Sequence, residues 1–362
     1  MNQPVEHADQ YAERPGGRPA ASLWPAPPSA ITVVDRVFPV MGSTAHVLVV
    51  LERGAMAPAE RLLDAARVRL EQLEDLWSRF RPHSEIARLN GAGGAAVPVS
   101  RDTGELLARC VHAWRATLGL FDPTVHDALV RLGYDRSYEQ LPPIPLTSEV
   151  PFGMIPIGTV PEGMGLAAPG CAAVEIDRHA GIVRLAPGVA IDAGGIGKGL
   201  AADLVVAELL AAGAVGAMVN VGGDTVVEGR PPRVSGWQIG IADPRLDDAA
   251  VGPDPADGLC AVVGMTAGAV VTSSRSERRW GRDGRSLHHL IDPRTGLPAG
   301  AGLQAVTVMS SAGWWAEALA TAAFVAGVDR ARELLASMGA TGFAVLDDGT
   351  IEPFAGFRSY LR

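Results

Sequence analysis

The chain has 362 residues, of which 48% are hydrophobic and 20% charged, with a net charge of −9. That length allows one large domain or two ordinary ones around a substantial core. No basic run stands out, which argues against nucleic acid and acidic membranes as partners and leaves a small anionic ligand to locally placed positive groups.

Residues 1–30 are rich in Pro, Ala and Gly. They lack the basic start and the apolar core of about 7–15 residues that a secretory signal needs, and they read as a disordered tail. No segment approaches the ~20 apolar residues of a membrane span. Cys110, Cys171 and Cys260 are too widely spaced to define a metal pair or a disulfide framework. A cytoplasmic protein is the expectation.

Order is expected from Ile31 onwards, in one domain over 31–362. Val33–Val50 reads as strand, turn and strand, broken at Met41-Gly42-Ser43-Thr44. From Pro58, Leu62, Leu63, Ala66, Leu70, Leu73, Leu76, Trp77 and Phe80 recur at helical spacing, and Arg81-Pro82 is expected to end that helix. Ser84 can cap a short second helix, and residues 102–118 read as a third. Residues 135–172, with many Pro and Gly, are expected to form an irregular connection. Strands are expected around 173–193, then a helix over 197–212, and strands near 215–228 and 236–242. An exposed loop at 243–258 precedes strands near 259–273 and 303–309. Helices near 313–326 and 329–338 lead to a last strand at 341–347. The pattern is α+β.

Two stretches carry most of the chemistry. GVAIDAGGIGKGLAAD at 188–203 is an apolar run that breaks into glycines and enters an alanine-rich helical pattern. Exposed backbone N–H groups at such a helix start suit a phosphate. It is neither a Walker A loop nor a G-x-G-x-x-G fingerprint, and a ligand-free turn is the plain alternative. Lys198 opposes the helix dipole there, so a counter-anion is expected beside it. HLIDPRTG at 289–296 sets a histidine and a carboxylate at a Pro/Gly turn. Asn220-Val221-Gly222-Gly223-Asp224 admits close approach of a ligand, or is an ordinary hairpin turn.

Taken in order, these segments resemble the ApbE family of FAD:protein FMN transferases. The matching features are Met41-Gly42-Ser43-Thr44; SRFRPHSEIARLN at 78–90; Phe121-Asp122-Pro123-Thr124-Val125; IDAGGIGKGLAAD at 191–203; VNVGGD at 219–224; Trp237 to Pro244; Thr272-Ser273; HLIDPRTG at 289–296; and AEALAT at 316–321. The resemblance implies a two-part α/β fold with the flavin site between the parts. It also implies transfer of FMN from FAD to a Thr or Ser hydroxyl of an acceptor flavoprotein, with release of AMP and help from Mg2+. FAD hydrolysis, or a catalytically weak FAD-binding protein, are the alternatives.

By the same resemblance His289 is the general base, with Asp292 orienting the loop or the ring or simply capping its turn. Glu317 and Thr321, four apart on one helical face, join the Gly195 carbonyl as Mg2+ ligands. Glu317 is one methylene longer than the family's usual Asp. Met41 and Trp77 are expected to line a planar ring, though both also suit a core. Ser84, Glu85 and Asn90 match a segment near the cofactor, Asp122 a carboxylate near the adenosine, and Lys198, Asp203 and Thr272 further site positions.

Overall fold

The computed structural model describes residues 31–142, 165–246, 257–282, 285–300 and 302–362. The expected N-terminal tail, most of the 135–172 connection and the middle of the 243–258 loop lie outside the described residues.

The chain opens with the hairpin β1 (Ile31–Val40) and β2 (Ser43–Glu52), followed by α1 (Met56–Trp77), α2 (Glu85–Gly91), β3 (Val97–Pro98), α3 (Arg101–Ala116) and α4 (His126–Arg131). Next come β4 (Val174–Asp177), β5 (Ile182–Leu185), α5 (Gly197–Ala211), β6 (Gly216–Val221), β7 (Asp224–Gly229), β8 (Trp237–Ala242), β9 (Leu259–Met265) and β10 (Gly268–Ser274). Four short strands follow: β11 (Arg279–Arg282), β12 (Arg285–His288), β13 (Ile291–Asp292) and β14 (Leu297–Pro298). The chain closes with β15 (Leu303–Ser310), α6 (Gly313–Ala326), α7 (Val328–Ser337), β16 (Thr341–Leu346) and β17 (Ile351–Pro353).

Eight strands form one sheet in the order β1-β2-β6-β7-β10-β15-β16-β17. Every neighbouring pair in it is antiparallel. Alternate side chains of a strand face opposite ways, and here both faces are covered. In β2, Ala45, Val47, Val49 and Leu51 enter the larger core with Leu63, Leu70 and Leu73 of α1. Leu48 and Val50 enter a second core with Trp237, Ile239 and Val263 of the β8–β9 hairpin. That is why β2 is an almost unbroken apolar run. A third cluster joins Leu129 and Leu132 to Trp280, Leu287 and Ile291. Among the described residues, no helix is long and apolar enough to cross a membrane.

The first helix departs from expectation at its end. It stops at Trp77, and Ser78 is already extended (φ −69°, ψ 119°). Phe80 shares Trp77's helical spacing but packs against the third cluster instead, because the chain turns away to let Arg79 meet Asp192. In the 173–193 region only β4 and β5 are strands, and residues 186–196 run irregularly. Ser84 caps α2 as expected, accepting a hydrogen bond from Ala87 N at 2.9 Å.

Part of the glycine-rich turn is explained by packing alone. Helices α5 and α6 cross at Gly199 and Gly313. A Cβ on Gly199 would lie 2.8 Å from Trp314 N and closer still to the Gly313 carbonyl. Gly199→Ala must therefore push the two helices apart, and it is expected to destabilise the fold by about 1–3 kcal/mol, as overpacking does. Urea unfolding of the variant checks this; an unchanged midpoint would show that the helices are not held in this contact.

Candidate active site

One cavity of about 610 Å3 opens at one end of the central strands. The β1–β2 turn supplies Met41, and the end of α1 supplies Trp77 and Arg79. The 120–123 segment gives Phe121 and Asp122. The glycine turn gives Asp192, Gly195 and Lys198. Gly222 and Asp224 come from the β6–β7 turn, Thr272 and Ser273 from β10, and Arg278 and His289 from the mouth of the β11–β12 hairpin. Helix α6 contributes Glu317 and Thr321. Met41 holds a left-handed backbone (φ 54°), uncommon for a residue with a side chain.

Of the residues singled out from sequence, Met41, Trp77, Asp122, Gly195, Lys198, Thr272, His289, Glu317 and Thr321 line this cavity. Ser84, Asn90, Asp203 and Asp292 do not, and each is engaged with backbone elsewhere. Ser84 caps α2. Asn90 brackets Ile191, donating to its carbonyl at 2.9 Å and accepting from its N–H at 2.8 Å, and so anchors the segment entering the glycine turn. Asp203 accepts from Gly313 N (2.7 Å) and Trp314 N (3.0 Å), which satisfies the open N-terminus of α6. Asp292 accepts from Arg294 N at 3.0 Å and from its guanidinium, closing its own turn. The position of Asp292 therefore fixes the loop after His289, and its bonds go to the turn.

The expected counter-anion of Lys198 is found within the protein. Lys198 Nζ is hydrogen-bonded to Asp224 and lies 3.2 Å from Glu317 Oε1. Both carboxylates are nearly sealed, at 1% and 3% exposure. Burial by itself would lower the Lys198 ammonium, but Asp224 and Glu317 outweigh it and hold the proton on. Burial raises the Glu317 carboxyl to about 8, with Lys198 pulling it down and Asp224 pushing it up. Asp224 is raised by burial as well, against the pull of Lys198. Two carboxylates and one ammonium leave a surplus negative charge in a dry place, which favours the protonated form of a carboxyl.

Glu317 Oε2 accepts from Gly199 N at 2.8 Å, so α6 reads the start of α5. Its Oε1 is buried without a hydrogen bond. Thr321 lies one turn further along α6 and within 3.4 Å of Ser273 Oγ. A Cβ on Gly195 would stand 3.3 Å from Thr321 Oγ1, so the glycine turn and that hydroxyl abut. Among the described residues, no group of three or more His, Cys, Asp and Glu side chains could by itself hold a metal. One carboxylate, one hydroxyl and one carbonyl nonetheless fit a hard cation that completes its shell with phosphate oxygens and water.

The adjacent histidines differ. His288 packs edge-on against Phe324 at 6.1 Å, and burial, with Arg275 nearby, lowers it to about 3. His289 lines the cavity. Burial, then Arg278 and His288, holds it well below the ordinary imidazole range, while the Arg278 backbone works the other way. His289 Nδ1 is buried without a hydrogen-bond partner. Asp122 is buried and raised by that burial, although Thr124 donates to it through both N–H (2.8 Å) and Oγ (2.6 Å).

The cavity residues that received no role from sequence include Arg79, Asp192, Asp224 and Arg278. Asp192 and Arg79 form a buried ion pair at 2.6 Å, and Arg79 also stacks on Phe80 and Tyr134. A signal existed for Asp224, a carboxylate opening an apolar strand straight after two glycines. None marks Arg278 within SERRW.

The model of the ApbE family matches residues 41–344. The FAD:protein FMN transferase of Treponema pallidum (strain Nichols) is 30% identical over 344 residues, which is 89% of this chain and 87% of that protein. The FAD:protein FMN transferase of Rhodobacter capsulatus is 31% identical over 290 residues, covering 77% of this chain and 49% of the relative. Among solved structures, the ApbE protein of Thermotoga maritima matches with a TM-score of 0.73 and 28% identity over 91% of this chain and 100% of the other. The flavinyl transferase ApbE of Pseudomonas stutzeri, in its apo form, gives 0.72 and 26% over 91% and 97%.

Proposed function

This chain belongs to the ApbE family and is an FAD:protein FMN transferase, and we propose that the cavity performs that transfer on a Thr or Ser hydroxyl with His289 as base. The acceptor is a separate flavin-binding protein, and AMP leaves. The observation that carries this reading is the meeting in one cavity of an imidazole, an oxygen donor set fit for a cation, and apolar walls able to hold a planar ring. That is the composition a dinucleotide phosphoryl transfer needs.

The His289 imidazole takes the proton of the acceptor hydroxyl. The freed oxygen attacks the phosphorus on the riboflavin side, the diphosphate bridge breaks at that phosphorus, and the bridging oxygen departs with AMP. Glu317 Oε1, Thr321 Oγ1 and the Gly195 carbonyl would hold Mg2+, which when bound neutralises charge on the diphosphate. Lys198 keeps Asp224 and Glu317 in place until then. Met41, Trp77 and Phe121 offer apolar surface to a ring system, and Asp122 presents a carboxylate at the same wall.

The test is incubation with FAD, MgCl2 and a flavin-binding acceptor domain that has an exposed Thr or Ser. A covalently yellow acceptor with one AMP per label is the expected result. Free FMN without label would make the protein a hydrolase, and neither product would make it a carrier.

A further inference from the structure

We propose that Arg278 is the anion receptor of this cavity and that its guanidinium binds a diphosphate oxygen of FAD. The assignment rests on FAD being the ligand, as argued above. It begins from an elimination among the cations of the cavity wall. Lys198 is taken by Asp224 and Glu317. Arg79 is taken by Asp192, and Arg81 by Glu74 at 2.9 Å and by Asp75. Among the described residues Arg278 alone of these forms no ion pair. Its bond is to a neutral group, the Tyr134 hydroxyl, which accepts from Nη1 at 3.2 Å.

A guanidinium offers five N–H donors in a planar fork. One is spent on Tyr134, which leaves the fork oriented and largely open. Arg278 is half-buried; a partly desolvated cation without a carboxylate favours any partner that satisfies it, and a phosphate oxygen is the partner whose geometry matches. The surroundings keep the charge on: burial works against it, but Tyr134, Asp192 and Glu139 hold the group raised.

Its place in the fold ties it to the reaction. Strands β11 and β12 pair Arg279 with His288. The next step outward at the open end of that hairpin brings Arg278 opposite His289, and both side chains line the cavity. One hairpin therefore presents the base and a fixed positive charge side by side. The charge of Arg278 is also felt at His289, Lys198 and Asp224, which places it beside the base and the charged cluster of the cavity. The competing role is structural, with Arg278 merely holding Tyr134 in the third cluster.

Arg278→Met and Arg278→Lys separate the two. Dissociation constants for FAD, riboflavin and inorganic pyrophosphate are measured by fluorescence titration and calorimetry on the full chain. Arg278→Met is expected to weaken FAD and pyrophosphate about 10–100-fold, as loss of a charged hydrogen bond does, with riboflavin changed less than about twofold. Arg278→Lys, which keeps the charge without the fork, is expected to fall between. Equal losses for FAD and riboflavin, or unchanged affinity for FAD and pyrophosphate, would overturn the proposal. If Arg278→Met does not fold, the same comparison is read in Arg278→Lys. Absence of FMN transfer by the unaltered protein would remove the activity reading, and the binding comparison would still decide Arg278.

Discussion

His289→Ala is expected to lower the rate of FMN transfer by roughly 10²–10⁴-fold, the usual worth of a positioned general base, while FAD still binds. The two outcomes part because the imidazole is one element of a large lining. Its loss removes a proton acceptor and leaves the apolar walls, the Glu317–Thr321 pair and Arg278 in place. The pH profile adds a second readout. In the free protein, burial, Arg278 and His288 hold His289 well below its ordinary range. The acid limb of kcat/KM, which reports free protein, is therefore expected below the ordinary histidine value of about 6.5. A bound diphosphate brings negative charge to the same wall and raises the imidazole, so the acid limb of kcat should lie at higher pH. Coincident limbs, or an unchanged profile in His289→Ala, would remove His289 as the base. The stability sign follows from the same shift. An unfolded chain takes up a proton near pH 6.5 that the native site refuses. The contribution of His289 is thus complete above that pH and is lost as the pH falls towards its depressed native value.

What the sequence made legible was local. The break at Met41-Gly42, the cap at Ser84 and the long strands and helices follow from neighbours within a few residues, and they appear where spacing and turn chemistry put them. The short strands β11 to β14 escaped because two to four residues carry no periodicity. The end of α1 was misjudged because Phe80 has the right spacing for the helix and the wrong destination. The glycine turn reads as a ligand loop, with a ligand-free turn as the alternative, and both hold in part. One of its glycines, Gly199, is there for a helix crossing that no local pattern announces. Lys198 did signal a missing anion, yet the sequence could not say that Asp224 and Glu317, from two other elements, would supply it. Arg278 was invisible for a deeper reason. What distinguishes it is that no carboxylate folds against it, and that is a property of the assembled cavity alone.

Glu317→Gln is expected to abolish the response of transfer to Mg2+ while the fold persists. Glutamine keeps an oxygen that can accept from Gly199 N, as Glu317 Oε2 does at 2.8 Å, so the junction of α5 and α6 retains its bond. It lacks the negative charge that a hard dication requires of its single protein carboxylate. The stability cost should stay small because Lys198 keeps Asp224. Glu317→Ala is a different case, since it strands the Gly199 N–H and opens a space beside a buried ammonium. Leaving that buried donor unsatisfied costs about 1–3 kcal/mol. The two variants thus separate a metal effect from a folding effect. Proton uptake tests the same carboxylate without mutation. Burial and Asp224 hold Glu317 near 8, so at pH 7 the cluster carries a proton that a metal must displace. Metal binding in the presence of FAD is expected to release close to one proton at pH 7 and less above pH 8. The calorimetric enthalpy should therefore change with the ionisation enthalpy of the buffer, and this dependence should vanish in Glu317→Gln. A normal Mg2+ titration in Glu317→Gln would move the cation away from α6. A buffer-independent enthalpy in the unaltered protein would mean that Glu317 is already ionised beside Lys198, with that proton absent.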